Sequence, residues 1–271
     1  MVDTGEEGKR LHRLLYDKYD DNYGASVIGI SGDQGSVKTS FCLDLAEKKM
    51  KHHKDEKIFW RETYDSPMQC RRLLRYKYKI YVEEGTNIKF QQKGYDIEPD
   101  YIVFKKIKEL YETVKPRYLN VVFFKNMKQW TELIRHCNNY NGQWDTVFLD
   151  EMEGLYYEGA DNQTSEKLWK WMRESGNVIK ECRKGHTSVA GNYHDENLID
   201  HRVRGKFMFR VYGFGAIVNR SRSRVNQPAV DQCELGEFYI AKGRHRYGKI
   251  GLKNFYPAVK DNWIAYLDNK K

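Results

Sequence analysis

The sequence predicts an α/β fold with a mostly parallel central sheet flanked by helices, on three observations. Short β-branched and aromatic runs alternate with longer stretches of helical periodicity, the order that sets parallel strands side by side through helical crossovers. Those runs are apolar almost throughout, as strands covered on both faces must be. A glycine-bearing segment, Gly32–Thr39, joins the first such run to the first long helical stretch.

Taken in chain order, Leu11, Leu14, Leu15 and Tyr19 recur at helical spacing and predict an amphipathic helix over 9–23. Ala25–Ser31 (ASVIGIS) reads as a buried strand. A helix follows from Lys38 to Lys51, with Phe41, Cys42, Leu45 and Ala46 on its inner face. Residues 58–64 (IFWRETY) predict a second strand, 68–82 a basic helix, and 99–115 a helix carrying Ile102, Phe104, Ile107 and Leu110. Core strands are expected at 119–124 (LNVVFF) and 145–150 (DTVFLD), and helices at 126–138 and 164–183. Strands follow at 187–193 (TSVAGNY) and 206–213 (KFMFRVYG), and a Tyr-, Gly- and Lys-rich tail from 233 predicts short strands. This divides the chain into an α/β domain over 1–232, with a basic helical insertion at about 66–117, and a small β-rich extension over 233–271.

With 271 residues, 40% hydrophobic and 31% charged, the chain can bury a sizeable core, and wholesale disorder is excluded. Its net charge of +9 favours a polyanionic partner such as nucleic acid, against the plainer reading that excess lysine keeps it soluble. Five scattered cysteines without a C-x-x-C pair argue against a disulfide framework or a zinc site. The polar N-terminus is no signal peptide, and apolar runs of about five residues fall far short of the ~20 that cross a bilayer. The expectation is a soluble, cytoplasmic protein with no membrane segment.

The most informative segment is Gly32-Asp33-Gln34-Gly35-Ser36-Val37-Lys38-Thr39-Ser40. A glycine-rich turn between a buried strand and a helix points successive N–H groups inward and cradles phosphate. In such a P-loop Lys38 reaches the β- and γ-phosphates of ATP, and the Thr39 hydroxyl binds Mg²⁺. The residue before the lysine is normally glycine and here is Val37, whose branched side chain threatens a tight approach to phosphate.

A magnesium–phosphate site also needs a carboxylate at a neighbouring strand tip. Thr146-Val147-Phe148-Leu149 ends in Asp150 and Glu151. Asp150 would hold the metal through water, and Glu151 would orient and activate the attacking water. A glutamate directly after the metal aspartate favours an ATPase over a kinase that transfers phosphate to a bound acceptor.

A third block, Arg183-Lys184-Gly185-His186 through the strand at 187–193 to His194, is followed by Ile199-Asp200-His201-Arg202-Val203-Arg204. With the P-loop and the Asp150-Glu151 tip, this order resembles the FtsK–HerA superfamily of P-loop ATPases, including viral DNA-packaging ATPases and Zot-like phage proteins. The resemblance covers residues 25–213 and implies a RecA-like P-loop NTPase fold with ATP and Mg²⁺ as cofactors. It implies a polar sensor at the strand tip, usually glutamine, where His194 stands here and Asn192 is the rival. It further implies a homo-oligomeric ring in which Arg202 or Arg204 reaches a neighbour's nucleotide.

Three clusters suit a phosphate backbone: Arg71–Lys79, Asn219–Arg224 and Lys242–Lys249. Their cations neutralise phosphates and the interleaved tyrosines stack on bases, although each is equally readable as a solvated face. Nothing supports base-specific reading. The expectation is therefore an ATP-driven motor tracking DNA through backbone contacts, in viral or mobile-element genome packaging or translocation, with a viral capsid or assembly protein as a further partner. Two rivals stand beside it: a Zot-like assembly factor that uses nucleotide for oligomerisation with little hydrolysis, and a nucleoside or nucleotide kinase.

Overall fold

The computed structural model describes residues 25–62, 77–86, 100–125, 128–140, 144–152, 176–182, 185–195, 204–217, 230–231, 233–242 and 245–251. The strands are β1 (Val27–Ser31), β2 (Lys57–Arg61), β3 (Tyr78–Glu83), β4 (Tyr101–Phe104), β5 (Leu119–Phe123), β6 (Asp145–Leu149), β7 (Thr187–Tyr193), β8 (Phe209–Tyr212), β9 (Glu237–Lys242) and β10 (His245–Gly251). The helices are α1 (Lys38–His52), α2 (Ile107–Thr113) and α3 (Lys128–Asn139), and residues 176–182 are also helical.

These ten strands form one sheet in the order β10-β9-β8-β1-β7-β6-β2-β5-β3-β4. From β8 to β4 every pairing is parallel, whereas β9 and β10 continue the edge antiparallel. The parallel strands therefore end on one common edge. β1 lies between β7 and β8, neither its neighbour in sequence, and such a reversal of strand order is where open α/β sheets bind ligands, beyond the C-terminal ends of the strands.

Strand side chains alternate between two cores, which is why the strands carry so few polar residues. In β2, Ile58 and Trp60 join one core with Phe41, Cys42, Leu45 and Ala46 of α1. Phe59 faces the other, with Leu110 and Tyr111 of α2, Trp130, Leu133, Ile134 and Cys137 of α3, and Val178, Ile179 and Cys182. The expected inner face of α1 is buried as read from the sequence.

Two helical expectations are corrected. Residues 78–82 of the stretch 68–82 belong to β3, because Tyr78, Ile80 and Val82 pack on one core while Tyr81 packs on the other, a period of two that no helix supplies. Residues 101–104 of the stretch 99–115 form β4, a run of β-formers that pairs with β3, and the helix starts only at Ile107. The helix at 9–23 and the first part of that at 164–183 lie outside the described residues, as do Arg71–Tyr76 and Asn219–Arg224. Of the third basic cluster only the backbone of β9 and β10 is described.

At the opposite, N-terminal edge, Asp145 is fully buried and accepts a hydrogen bond from Tyr111 Oη at 2.7 Å. Lys57 Nζ sits 3.8 Å from the Tyr111 ring centroid. Burial pushes the Asp145 carboxyl up from 3.8 to about 6, with Tyr111 and Lys57 offsetting part of that rise. The protonated form is thus the one the fold favours. Its stabilisation is complete below about pH 4 and is lost as pH rises through 6. Each tenfold step in proton affinity is about 1.4 kcal/mol, so ionised Asp145 costs about 3 kcal/mol. Asp145→Asn is expected to be the more stable form at pH 7.5, with the gap closing towards pH 4.5. Urea unfolding at both pH values checks this, and an Asn variant less stable at pH 7.5 refutes it.

Candidate nucleotide-binding site

The loop that leaves β1 turns through Gly32–Val37 before α1 begins at Lys38. Two of its residues adopt left-handed backbone angles, Gly35 at φ 84° and Val37 at φ 59°. The left-handed turn at position 37 explains why glycine is usual there. Val37 nevertheless keeps the turn, and its side chain is buried in the α1-side core, the cluster that also holds Ile28, Ile30 and Phe41. Left-handed geometry costs an L-residue about 1–2 kcal/mol, while burying a valine returns about 1.5–3 kcal/mol. Val37→Gly is accordingly expected to destabilise the fold by only about 1 kcal/mol, because the lost burial is largely offset by relief of strain. Val189→Gly, in the extended and fully buried β7, is expected to cost about 3 kcal/mol. Equal losses by denaturant unfolding would remove the strain argument.

Lys38 is buried and curls back over the loop, donating to the carbonyls of Gly32 (2.8 Å) and Asp33 (2.7 Å) and to Ser36 Oγ (3.3 Å). The loop is braced from the β8 side, where Asp33 N donates to Phe214 O at 3.0 Å and Gly213 N to Ser31 O at 2.7 Å. Asp33, Gln34 and Gly35 are exposed at the loop apex, Ser36 is buried, and Thr39 and Ser40 are half-buried in the first turn of α1. That turn itself contains no acidic residue, which suits an anion at the helix N-terminus.

Thr39 Oγ1 donates to Asp150 Oδ1 at 2.9 Å, across 111 positions of sequence. The P-loop and the acidic strand tip are thereby one site. Asn192, buried in β7 between β1 and β6, completes it: its Nδ2 donates to Asp150 Oδ1, and its Oδ1 accepts from Glu151 N at 2.8 Å. Met152 N donates to Asn192 O at 2.7 Å. Glu151 takes φ 47°, a left-handed turn held by these bonds. Cys42 lies against the same group, 3.9 Å from Asn192 Nδ2, and burial followed by the Asp150 charge holds its thiol far above the ordinary range.

Of the two sensor candidates, Asn192 is the one the strand end seats on both acidic residues. His194 follows the last residue of β7 and is half-buried. Arg204 is buried in its own chain, 7% exposed, so a reach into a neighbouring subunit requires it to leave that position. Arg202 lies outside the described residues.

Magnesium suits the donor set that is present. Thr39 and Asp150 offer hard oxygens, and Mg²⁺ retains waters and binds through one or two protein oxygens plus nucleotide phosphates. Among the described residues no group of three or more His, Cys, Asp or Glu is placed to hold a resident metal.

One site residue escaped the sequence reading. Arg61, the last residue of β2, is 2% exposed, and its guanidinium donates to the carbonyl oxygens of Asp150 and, at 3.1 Å, Glu151. The available signal was a cation ending an apolar run, Ile58-Phe59-Trp60-Arg61.

A parallel sheet with a phosphate-loop turn after β1 and an acidic tip on β6, separated by β7, defines a P-loop NTPase fold. The chain is similar to VirB4 of Thermoanaerobacter pseudethanolicus, at 8% identity over 88% of this chain and 91% of that one, with a TM-score of 0.50. It is also similar to the pCW3 conjugation coupling protein TcpA (14% identity, 84% and 60% covered, TM-score 0.48). A third neighbour is the genome packaging NTPase B204 of Sulfolobus turreted icosahedral virus 2 in complex with ATP-gammaS (10%, 80% and 92%, TM-score 0.46). At such identities the likeness is one of fold. The fold expected from the motif order, a mostly parallel sheet carrying a phosphate loop, is the one observed. No protein-family model and no curated protein matches the sequence.

Proposed function

We propose that this chain is an ATP-hydrolysing motor that acts on DNA, in packaging or translocating a viral or mobile-element genome. The observation that carries the ATPase part is the Thr39–Asp150 hydrogen bond, with Asn192 and Glu151 on the same carboxylate turn. On this reading Lys38 and the loop N–H groups hold the β- and γ-phosphates, and Thr39 with Asp150 holds Mg²⁺. Glu151 takes the proton of the attacking water, and Asn192 or His194 senses the γ-phosphate. Arg204 or Arg202 supplies charge across a ring interface.

The DNA part is supported by the +9 charge, the three basic clusters and the motif resemblance. Among the described residues no helix is long and apolar enough to cross a membrane.

The test is steady-state hydrolysis of Mg²⁺-ATP with and without long single- and double-stranded DNA at two salt concentrations. Stimulation by DNA that collapses at high salt is the expected result. Tight ATP binding without turnover or response to DNA refutes the motor and favours the nucleotide-gated assembly factor.

A further inference from the structure

Glu151 has an unusual backbone for a residue expected to aim a carboxylate. Its left-handed φ of 47° directly follows β6, so the turn leaves the sheet sharply and its direction sets where the side chain points. Such a conformation persists only when surrounding groups hold it. On the β7 side the holder is Asn192, which grips the turn from its N–H face by accepting from Glu151 N.

The β2 side supplies the other half. Arg61 lies opposite Leu149 in the β2–β6 register, one position before the turn. From there its guanidinium reaches two successive carbonyl oxygens, those of Asp150 and Glu151, through the same nitrogen. A buried, charged nitrogen that donates to two successive carbonyl oxygens restrains both peptide units. With N–H held from one side and C=O from the other, the peptide units around Glu151 cannot rotate freely.

We infer that Arg61 is a positioning residue for hydrolysis: a buried clamp that holds the Asp150-Glu151 turn so that the Glu151 carboxylate meets the attacking water. This rests on the ATPase reading above and adds to it a group outside the phosphate loop, the acidic pair and the sensor strand. Arg61 itself contacts the backbone of the turn, and its effect on chemistry passes through Glu151. It follows that the clamp governs turnover and leaves nucleotide affinity, which the P-loop provides, nearly untouched.

The experiment compares the full chain with Arg61→Gln, Arg61→Lys, Glu151→Gln and the Arg61→Gln/Glu151→Gln double variant. Each is measured for steady-state Mg²⁺-ATP hydrolysis, binding of a fluorescent non-hydrolysable ATP analogue, and thermal melting. The expected result for Arg61→Gln is a fall in kcat of about 10²-fold, the scale of a misplaced catalytic group, with analogue affinity within about threefold. Arg61→Lys keeps the charge, but its shorter side chain sets the donor nitrogen farther from the two carbonyls, and it is expected to recover only part of the rate. In the double variant the Arg61 change adds almost nothing to the Glu151→Gln loss, because both act through one carboxylate. A merely structural arginine would lower the rate equally in both backgrounds.

Should Arg61→Gln fail to fold, Arg61→Lys carries the test, with an expected loss of about tenfold in kcat at unchanged affinity. Wild-type turnover that persists in a folded Arg61 variant, or a loss that multiplies fully with Glu151→Gln, overturns the clamp and leaves the ATPase reading intact. Absence of turnover in the unaltered chain overturns the ATPase reading, and the clamp with it.

Discussion

Glu151→Gln is expected to lower ATP turnover by about 10²- to 10⁴-fold, the range for removing a positioned general base, while nucleotide still binds. Glutamine keeps the length and shape of the side chain but cannot take a proton from water. The contacts that hold this turn, from Asn192 Oδ1 to Glu151 N and from Arg61 to Glu151 O, are made to the backbone and survive the change. Melting temperature is therefore expected to stay close to that of the unaltered chain, so a lost rate reports chemistry. Single-turnover hydrolysis beside equilibrium binding of ATP checks this. Turnover within threefold of the unaltered protein would exclude Glu151 as the base and direct attention to His194, the other half-buried titratable group named for this edge.

Lys38→Ala acts earlier in the sequence of events. Its ammonium is expected to neutralise phosphate charge both when nucleotide binds and as negative charge develops in the reaction. kcat/KM should therefore fall by more than about 10²-fold, and binding should weaken with it. This variant also has a cost in the folded protein. Lys38 Nζ satisfies the buried carbonyl oxygen of Gly32 inside the loop, and removing it leaves that acceptor without this donor, about 1–3 kcal/mol. A lower melting temperature is expected for Lys38→Ala and not for Glu151→Gln. Titration calorimetry with ATP, beside thermal melts of both variants, separates the two. Retention of turnover within tenfold in Lys38→Ala would sink the assignment of the loop.

Much of the fold was legible because it depends on local patterns. The inner face of α1 was read from a period of 3.6, and the strands β1, β5, β6 and β7 from short apolar runs within single segments. The misreadings at 78–82 and 101–104 share one cause. Short runs such as Tyr78-Lys79-Ile80-Tyr81-Val82 carry apolar residues compatible with either period, and pairing with β5 and β4 decides for strand. The position before Lys38 was flagged as a departure from the phosphate-loop pattern, yet whether Val37 disturbs the loop depends on where its side chain goes. The core beneath α1 takes it in.

The amino-acid sequence by itself determined the α/β class, the turn at Gly32–Thr39, the acidic end of β6 and the strongly basic charge, since each is a property of neighbouring residues. Tertiary structure alone decided how these meet. It placed β7 between β1 and β6, brought Thr39 onto Asp150, and seated Asn192 rather than His194 on the acidic turn. It also set Arg61 against a turn about ninety residues downstream. Sheet order and register are set by which strands bury which faces together. That competition runs over the whole chain, and no local spacing encodes its outcome.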